Sequence, residues 1–159
     1  MKIKVFFTLI LICNFLFGYS QVIDKKINLI IVIDNEIAVG SIFVTNLYIT
    51  DEVNNKLKIP VNYYPGSLTL PYSDYEKLVN NARKVILRFD YYDYSGKQQQ
   101  VYNYEFELNK EWLKEPFLIF NVFNIDKKQF RKYPPLSKTQ NYTFSITSPN
   151  YTFIRIIAK

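Results

Sequence analysis

The stretch that decides the fold is Val85–Leu108, VILRFDYYDYSGKQQQVYNYEFEL. Its two halves alternate apolar and polar residues around a polar centre, which is the period of a half-buried β-strand pair. Ser95-Gly96 supplies turn chemistry, with a glycine free to take positive φ. A hairpin closed on those two residues sets Phe89 opposite Tyr102, Leu87 opposite Tyr104 and Val85 opposite Phe106. Arg88 and Asp90 then share the other face with Glu105 and Glu107. One face is aromatic and the other charged, so a slip by one residue would bring Asn103 and Glu105 against the apolar side.

Working outward, the same period recurs. INLIIVI (27–33) is a β-branched run, Asp34-Asn35 offers a turn, and IAVGSIFVTNLYIT (37–50) reads as a longer second strand with Gly40 as a bulge or a close approach. LKIPVNYY (57–64) is a third strand, and Pro60 assigns it to a sheet edge because proline cannot donate to a ladder. FLIFNVFNI (117–125) is apolar on both faces and reads as a central strand. NYTF occurs twice, at 141–144 and 150–153, with Pro149-Asn150 turn chemistry before the second copy. The alternation of aromatics with threonines predicts two neighbouring strands there. Both copies also match the N-glycosylation acceptor pattern, at Asn141 and Asn150. The packing rule explains the repeat without invoking modification.

Helical signals are few. Ser73 and Glu76 have capping-box spacing, and Tyr75, Leu78, Val79 and Ala82 fall on one helical face, predicting a short helix near 74–83. Asn109 to Glu115, before Pro116, predicts a single turn. About seven or eight strands at short spacing predict an all-β, antiparallel, two-sheet β-sandwich, with a β-barrel as the alternative. An aromatic share of 18% leans the same way, because tyrosine and phenylalanine favour pleated surfaces.

The first twenty residues read differently. Lys2 and Lys4 precede an apolar run to Phe17, and Gly18 and Ser20 stand at small-residue positions. This is the layout of a secretory signal peptide cleaved between Ser20 and Gln21. The run is too short for a membrane span and is broken by Asn14. Cys13 follows Ile12, where a lipid-modified cysteine normally follows a small residue. Cleavage would leave residues 21–159 as a single domain without cysteine and hence without disulfides. The expected location is the periplasm or the exterior of a bacterium, with no transmembrane segment once the leader is removed.

Composition narrows the chemistry. The chain has no histidine, so the usual base near neutral pH and the usual zinc ligand are missing. Loss of Cys13 with the leader removes thiol chemistry as well. Glu105 and Glu107 are two apart on one strand, which reads as a solvated face rather than a catalytic pair. DYYDYSG (90–96) lacks the spacing of an EF-hand loop. The formal charge of +6 falls to +4 when Lys2 and Lys4 leave, too mild to require nucleic acid. No catalytic residue, metal ligand or cofactor is predicted.

Two groups stand out as binding candidates. Tyr92 and Tyr94 at one hairpin tip, with Tyr63 and Tyr64 at another strand end, combine flat apolar bodies with polar tips suited to sugar rings and protein interfaces. Lys127, Lys128, Arg131 and Lys132 form a basic run suited to an anionic partner. The expectation is an exported, non-catalytic binding or scaffold domain whose partner is an envelope protein or polysaccharide. Its rivals are a carbohydrate-binding module using exposed tyrosines, a component of a secretion or surface assembly, and a carboxylate-dependent hydrolase using Glu105 and Glu107.

Overall fold

The computed structural model describes residues 23–96, 98–135, 137 and 139–154. The predicted leader and its cleavage point lie outside the described residues. Among the described residues the chain is mostly β, with three sheets, one short α-helix and no closed barrel. A three-stranded sheet is ordered β1 (Asp24–Ile27), β7 (Ser67–Pro71), β6 (Asn62–Tyr64). A five-stranded sheet is ordered β12 (Thr152–Ile154), β11 (Tyr142–Thr147), β10 (Leu118–Asn124), β2 (Leu29–Ile33), β3 (Glu36–Ile37). A four-stranded sheet is ordered β5 (Lys56–Pro60), β4 (Ile42–Thr50), β8 (Lys84–Asp93), β9 (Gln100–Leu108).

The strands outnumber the expected set because three apolar runs bend from one sheet into another. Residues 27–33 break at Asn28, between β1 and β2. The run 37–50 breaks around Gly40, at φ 67, so only Glu36 and Ile37 complete the hairpin with β2 and the rest becomes β4 in another sheet. The run 57–64 breaks at Val61: β5 lies at the edge of its sheet, as Pro60 requires, and β6 joins a different one. Period-two patterning cannot register the bends at Asn28 and Val61, because buried and exposed residues keep alternating through them. The purely antiparallel expectation also fails, since β10 runs parallel to β2 with Leu118 opposite Leu29.

The hairpin of β8 and β9 forms with its faces as expected and its register moved by two. Phe89 lies opposite Tyr104, Leu87 opposite Phe106, and Tyr91 opposite Tyr102. A shift of two keeps every side chain on its own face, so patterning could not distinguish the two registers. The turn is accordingly a longer loop than Ser95-Gly96 alone. On the outer face Arg88 pairs with Glu105 at 3.6 Å and Lys84 with Glu107 at 2.7 Å, all four half exposed. Such pairs contribute less than about 1 kcal/mol each.

On the inner face Phe89, Tyr104 and Phe106 are buried and Tyr102 is half-buried. Phe106 meets Phe120 of β10 at 4.8 Å and Phe144 of β11 at 5.2 Å, so the four- and five-stranded sheets share one aromatic core. The repeat strands β11 and β12 pair antiparallel, Thr147 opposite Thr152. β10 is central, as its two apolar faces required.

The helix α1 (Tyr72–Glu76) starts earlier than predicted, follows Pro71, and runs into a π-helical turn at Lys77–Asn81. No side chain caps it, so Ser73 and Glu76 do not form the capping box. Pro71 stands at the N-cap instead, where its fixed φ pre-sets the entry of the chain, and the Tyr72 N–H donates to the Ile23 carbonyl at 2.8 Å. The packing face is nonetheless as expected, with Leu78, Val79 and Ala82 buried. The turn at Lys110–Lys114 is a 3₁₀ helix, and Asn109 accepts from the Glu111 N–H at 3.0 Å.

Candidate functional site

The site is built at the end of the molecule where β2 turns into β3. Asp34 and Asn35 both have positive φ, 54 and 75, a conformation these residue types tolerate and a tight hairpin demands. The turn directs the Asp34 carboxylate inward, where its side chain is only 8% exposed. Its Oδ1 accepts from the Asn124 backbone N–H at 2.8 Å and its Oδ2 from Asn124 Nδ2 at 2.7 Å. Lys127 Nζ approaches the same Oδ2 at 2.7 Å. Asn124 Oδ1 in turn accepts from the Tyr104 hydroxyl at 2.6 Å. The chain Tyr104–Asn124–Asp34–Lys127 thus ties β9, β10, the β2–β3 turn and the loop after β10 into one frame. Asp34→Ala is expected to cost about 3 kcal/mol in urea unfolding, because it strands the buried Asn124 amide without its acceptor.

The carboxyl end of β8 forms the opposite wall. Tyr92 and Tyr94 stack with ring centres 6.4 Å apart and planes 22° from parallel. Phe43 sets its edge on Tyr92 at 5.1 Å and braces it from β4. The Ser95 hydroxyl and backbone N–H both bond Asp93 and lower its carboxyl pKa. Between the walls lies a cleft of about 390 Å³, lined by Asp34, Glu36, Tyr91, Tyr92, Tyr94 and Lys127 among others. Burial raises the Tyr91 hydroxyl, and Asp93, Asp34 and Glu36 push the same way against Lys127. Asp34 and Lys127 neutralise each other, so Glu36 and Asp93 leave the cleft with a local surplus of carboxylate on a chain of positive net charge.

Of the predicted site residues, Tyr92, Tyr94 and Lys127 are brought together here. Tyr63 and Tyr64 are not: they line a second hollow on the other side of the 38–44 connector. The Tyr63 hydroxyl accepts from the Ile31 N–H at 2.9 Å, while Tyr64 is exposed. Lys127, Lys128, Arg131 and Lys132 do not converge on one point. Arg131 donates to the Asp126 carbonyl at 3.3 Å, and Lys132 lies over the Tyr133 ring. This loop is held to the five-stranded sheet by Phe130 and Tyr133, which pack on Phe123 at 5.3 and 4.9 Å.

Asp34, Glu36, Tyr91 and Asp93 were not singled out by sequence reasoning as site residues. Asp34 was legible only as a turn residue, because its partner Asn124 is 90 positions away. Among the described residues no cluster of three or more metal-ligating acids occurs, and no helix is long and apolar enough to cross a membrane. No family model, curated protein or solved structure matches this chain.

Proposed function

We propose that this chain is an exported, non-catalytic binding domain of the bacterial envelope or exterior, and that it holds its ligand in the Tyr92–Tyr94 cleft. The observation that carries the reading is the nearly parallel pair of phenol rings at the wall of a braced cleft. A pre-set aromatic wall lowers the ordering cost of binding. Lack of histidine and of a mature thiol supports a role in binding rather than turnover. The leader-like residues 1–20 support export, and the shared core of the four- and five-stranded sheets supports a sandwich-like arrangement of those two.

A carbohydrate is the ligand class this wall favours. Pyranose rings present flat apolar faces that stack on tyrosine, and their hydroxyls need acceptors and donors at the margin. Glu36, Asp93 and Gln129 stand at that margin. A glycan array probed with the wild-type chain and with the Tyr92→Ala/Tyr94→Ala double variant tests the reading. Binding of a glycan class by the wild type, weakened tenfold or more in the variant, is the expected result. Equal binding by both would remove the cleft from the proposal.

A further inference from the structure

The second hollow, beside Tyr63 and Tyr64, lies where a strand leaves its sheet. β4 is paired with β8 on one side, but on the other side β5 covers it only from Asn46 to Thr50. β5 ends at Pro60, and after Val61 the chain continues as β6, which among the described residues pairs only with β7. Among the described residues, therefore, β4 has an uncovered edge from Ile42 to Thr45, and β6 has an uncovered edge facing the same hollow. Tyr92 N–H donates to the Ser41 carbonyl at 2.9 Å on the β8 side. The alternation of an antiparallel ladder then turns the N–H and C=O of Ile42 to the open side. Tyr64 pairs with Ser67 across Pro65-Gly66, and the same alternation turns the peptide groups of Tyr63 outward.

The hollow between these edges measures about 330 Å³ and is lined by no Asp, Glu, Lys or Arg among the described residues. Phe43, Val44 and Tyr64 stand exposed at its rim. Val44 is at φ 50, an unusual conformation for a β-branched residue, at a register shift between Phe43 and Asn46. Asn46 Nδ2 holds the Val44 carbonyl at 2.9 Å and so maintains the bulge that presents these side chains. The two edges of the four-stranded sheet are blunted elsewhere. β5 carries Lys56, Lys58 and Pro60, and the Tyr142 hydroxyl engages both the N–H and the C=O of Glu105 in the middle of β9.

We propose that this slot takes one extended, uncharged segment of a partner polypeptide as an added strand along β4. An extended backbone can meet the N–H and C=O of Ile42 on one side and those of Tyr63 on the other, and apolar side chains on alternate residues would meet Phe43, Val44 and Tyr64. A charged side chain entering the slot would find no counter-charge among its lining residues. The slot shares Phe43, which braces Tyr92, with the wall of the first cleft, but Val44 and Tyr64 do not line that cleft, so substitutions there test the slot alone.

The test is selection of a phage-displayed heptapeptide library on the full chain, followed by calorimetry and amide hydrogen exchange with the best synthetic peptide. The expected peptides are uncharged and rich in β-branched or aromatic residues on alternate positions. Their binding slows exchange at Ile42 and Tyr63 at least tenfold. Val44→Asp and Tyr64→Asp, both at exposed positions, each weaken binding at least tenfold without changing the thermal midpoint of folding by more than a few degrees. No enriched peptide, protection confined to other amides, or binding indifferent to both substitutions would overturn the proposal. Self-association of the chain with these same two amides protected would overturn it in favour of a second copy.

Discussion

Replacing Phe106 with alanine is expected to cost the fold about 4 kcal/mol. Phe106 is fully buried and sits where three strands of two sheets meet. Its ring lies 4.8 Å from Phe120, 5.2 Å from Phe144 and 5.3 Å from Tyr142, in edge-to-face contacts, with Phe89 at 5.9 Å on its own sheet. Truncation removes the transfer free energy of the ring and leaves a void that the rigid sheets can collapse into only partly. Domains of this size are stable by only about 5–15 kcal/mol, so much of the margin would go. Urea unfolding measures it, with an unchanged slope showing that the same surface is exposed. Phe106→Leu should lose markedly less, about 1–2 kcal/mol, because most of the volume stays. A Phe106→Ala loss under about 1 kcal/mol would mean that the two sheets do not meet at this ring.

The second large effect is a collapse of stability in alkali. The Tyr104 hydroxyl is buried beneath Asn124, and burial holds its pKa far above that of an ordinary tyrosine. Burial also raises Tyr142, Tyr63 and Tyr91. In the unfolded chain these phenols lose their protons near pH 10, whereas the folded chain retains them. Above that pH the unfolded state binds fewer protons, so stability falls as pH rises. Each tyrosine fully protected in this way contributes a slope of about 1.4 kcal/mol per pH unit. Lys127 acts in the same direction. Its hydrogen bond to Asp34 raises it, and the stability it contributes is lost as pH rises through the folded value, although partial exposure keeps this small. Asp93 acts at the other end: its lowered pKa gives a contribution that is lost as pH falls below the ordinary carboxylate range. With no histidine in the chain, little should change between pH 5 and 8. Urea midpoints at pH 8, 10 and 11 are expected to be level at first and then drop steeply, with a shallower drop in Tyr104→Phe. A midpoint unchanged to pH 11 would show the phenols to be accessible in the folded chain.

The features behind these effects differ in how legible they were. The inward set of Phe89, Tyr104 and Phe106 was readable, because alternation along a strand is a local property. The pairing of the two NYTF strands and the 3₁₀ turn capped by Asn109 were readable for the same reason. The partner across the ladder was not, since a two-residue shift preserves both faces. Half of the cleft, the aromatic wall of Tyr92 and Tyr94, was legible as an unusual tyrosine cluster. The acidic half was not, because Asp34, Glu36 and Asp93 come from separate segments and look like ordinary turn and edge residues until the sheets bring them together.

By itself, the sequence determined that this chain is mostly β, that the β8–β9 hairpin buries its aromatic face, and that imidazole is missing from its chemistry. Those properties reside in single residues and their near neighbours. Only the tertiary structure decided that β2 and β10 run parallel, that three apolar runs switch sheets at Asn28, Gly40 and Val61, and that Asp34 closes on Asn124 and Lys127. Each of those is a choice among partners distant along the chain, settled by which arrangement buries the most apolar surface while leaving the fewest backbone groups unpaired.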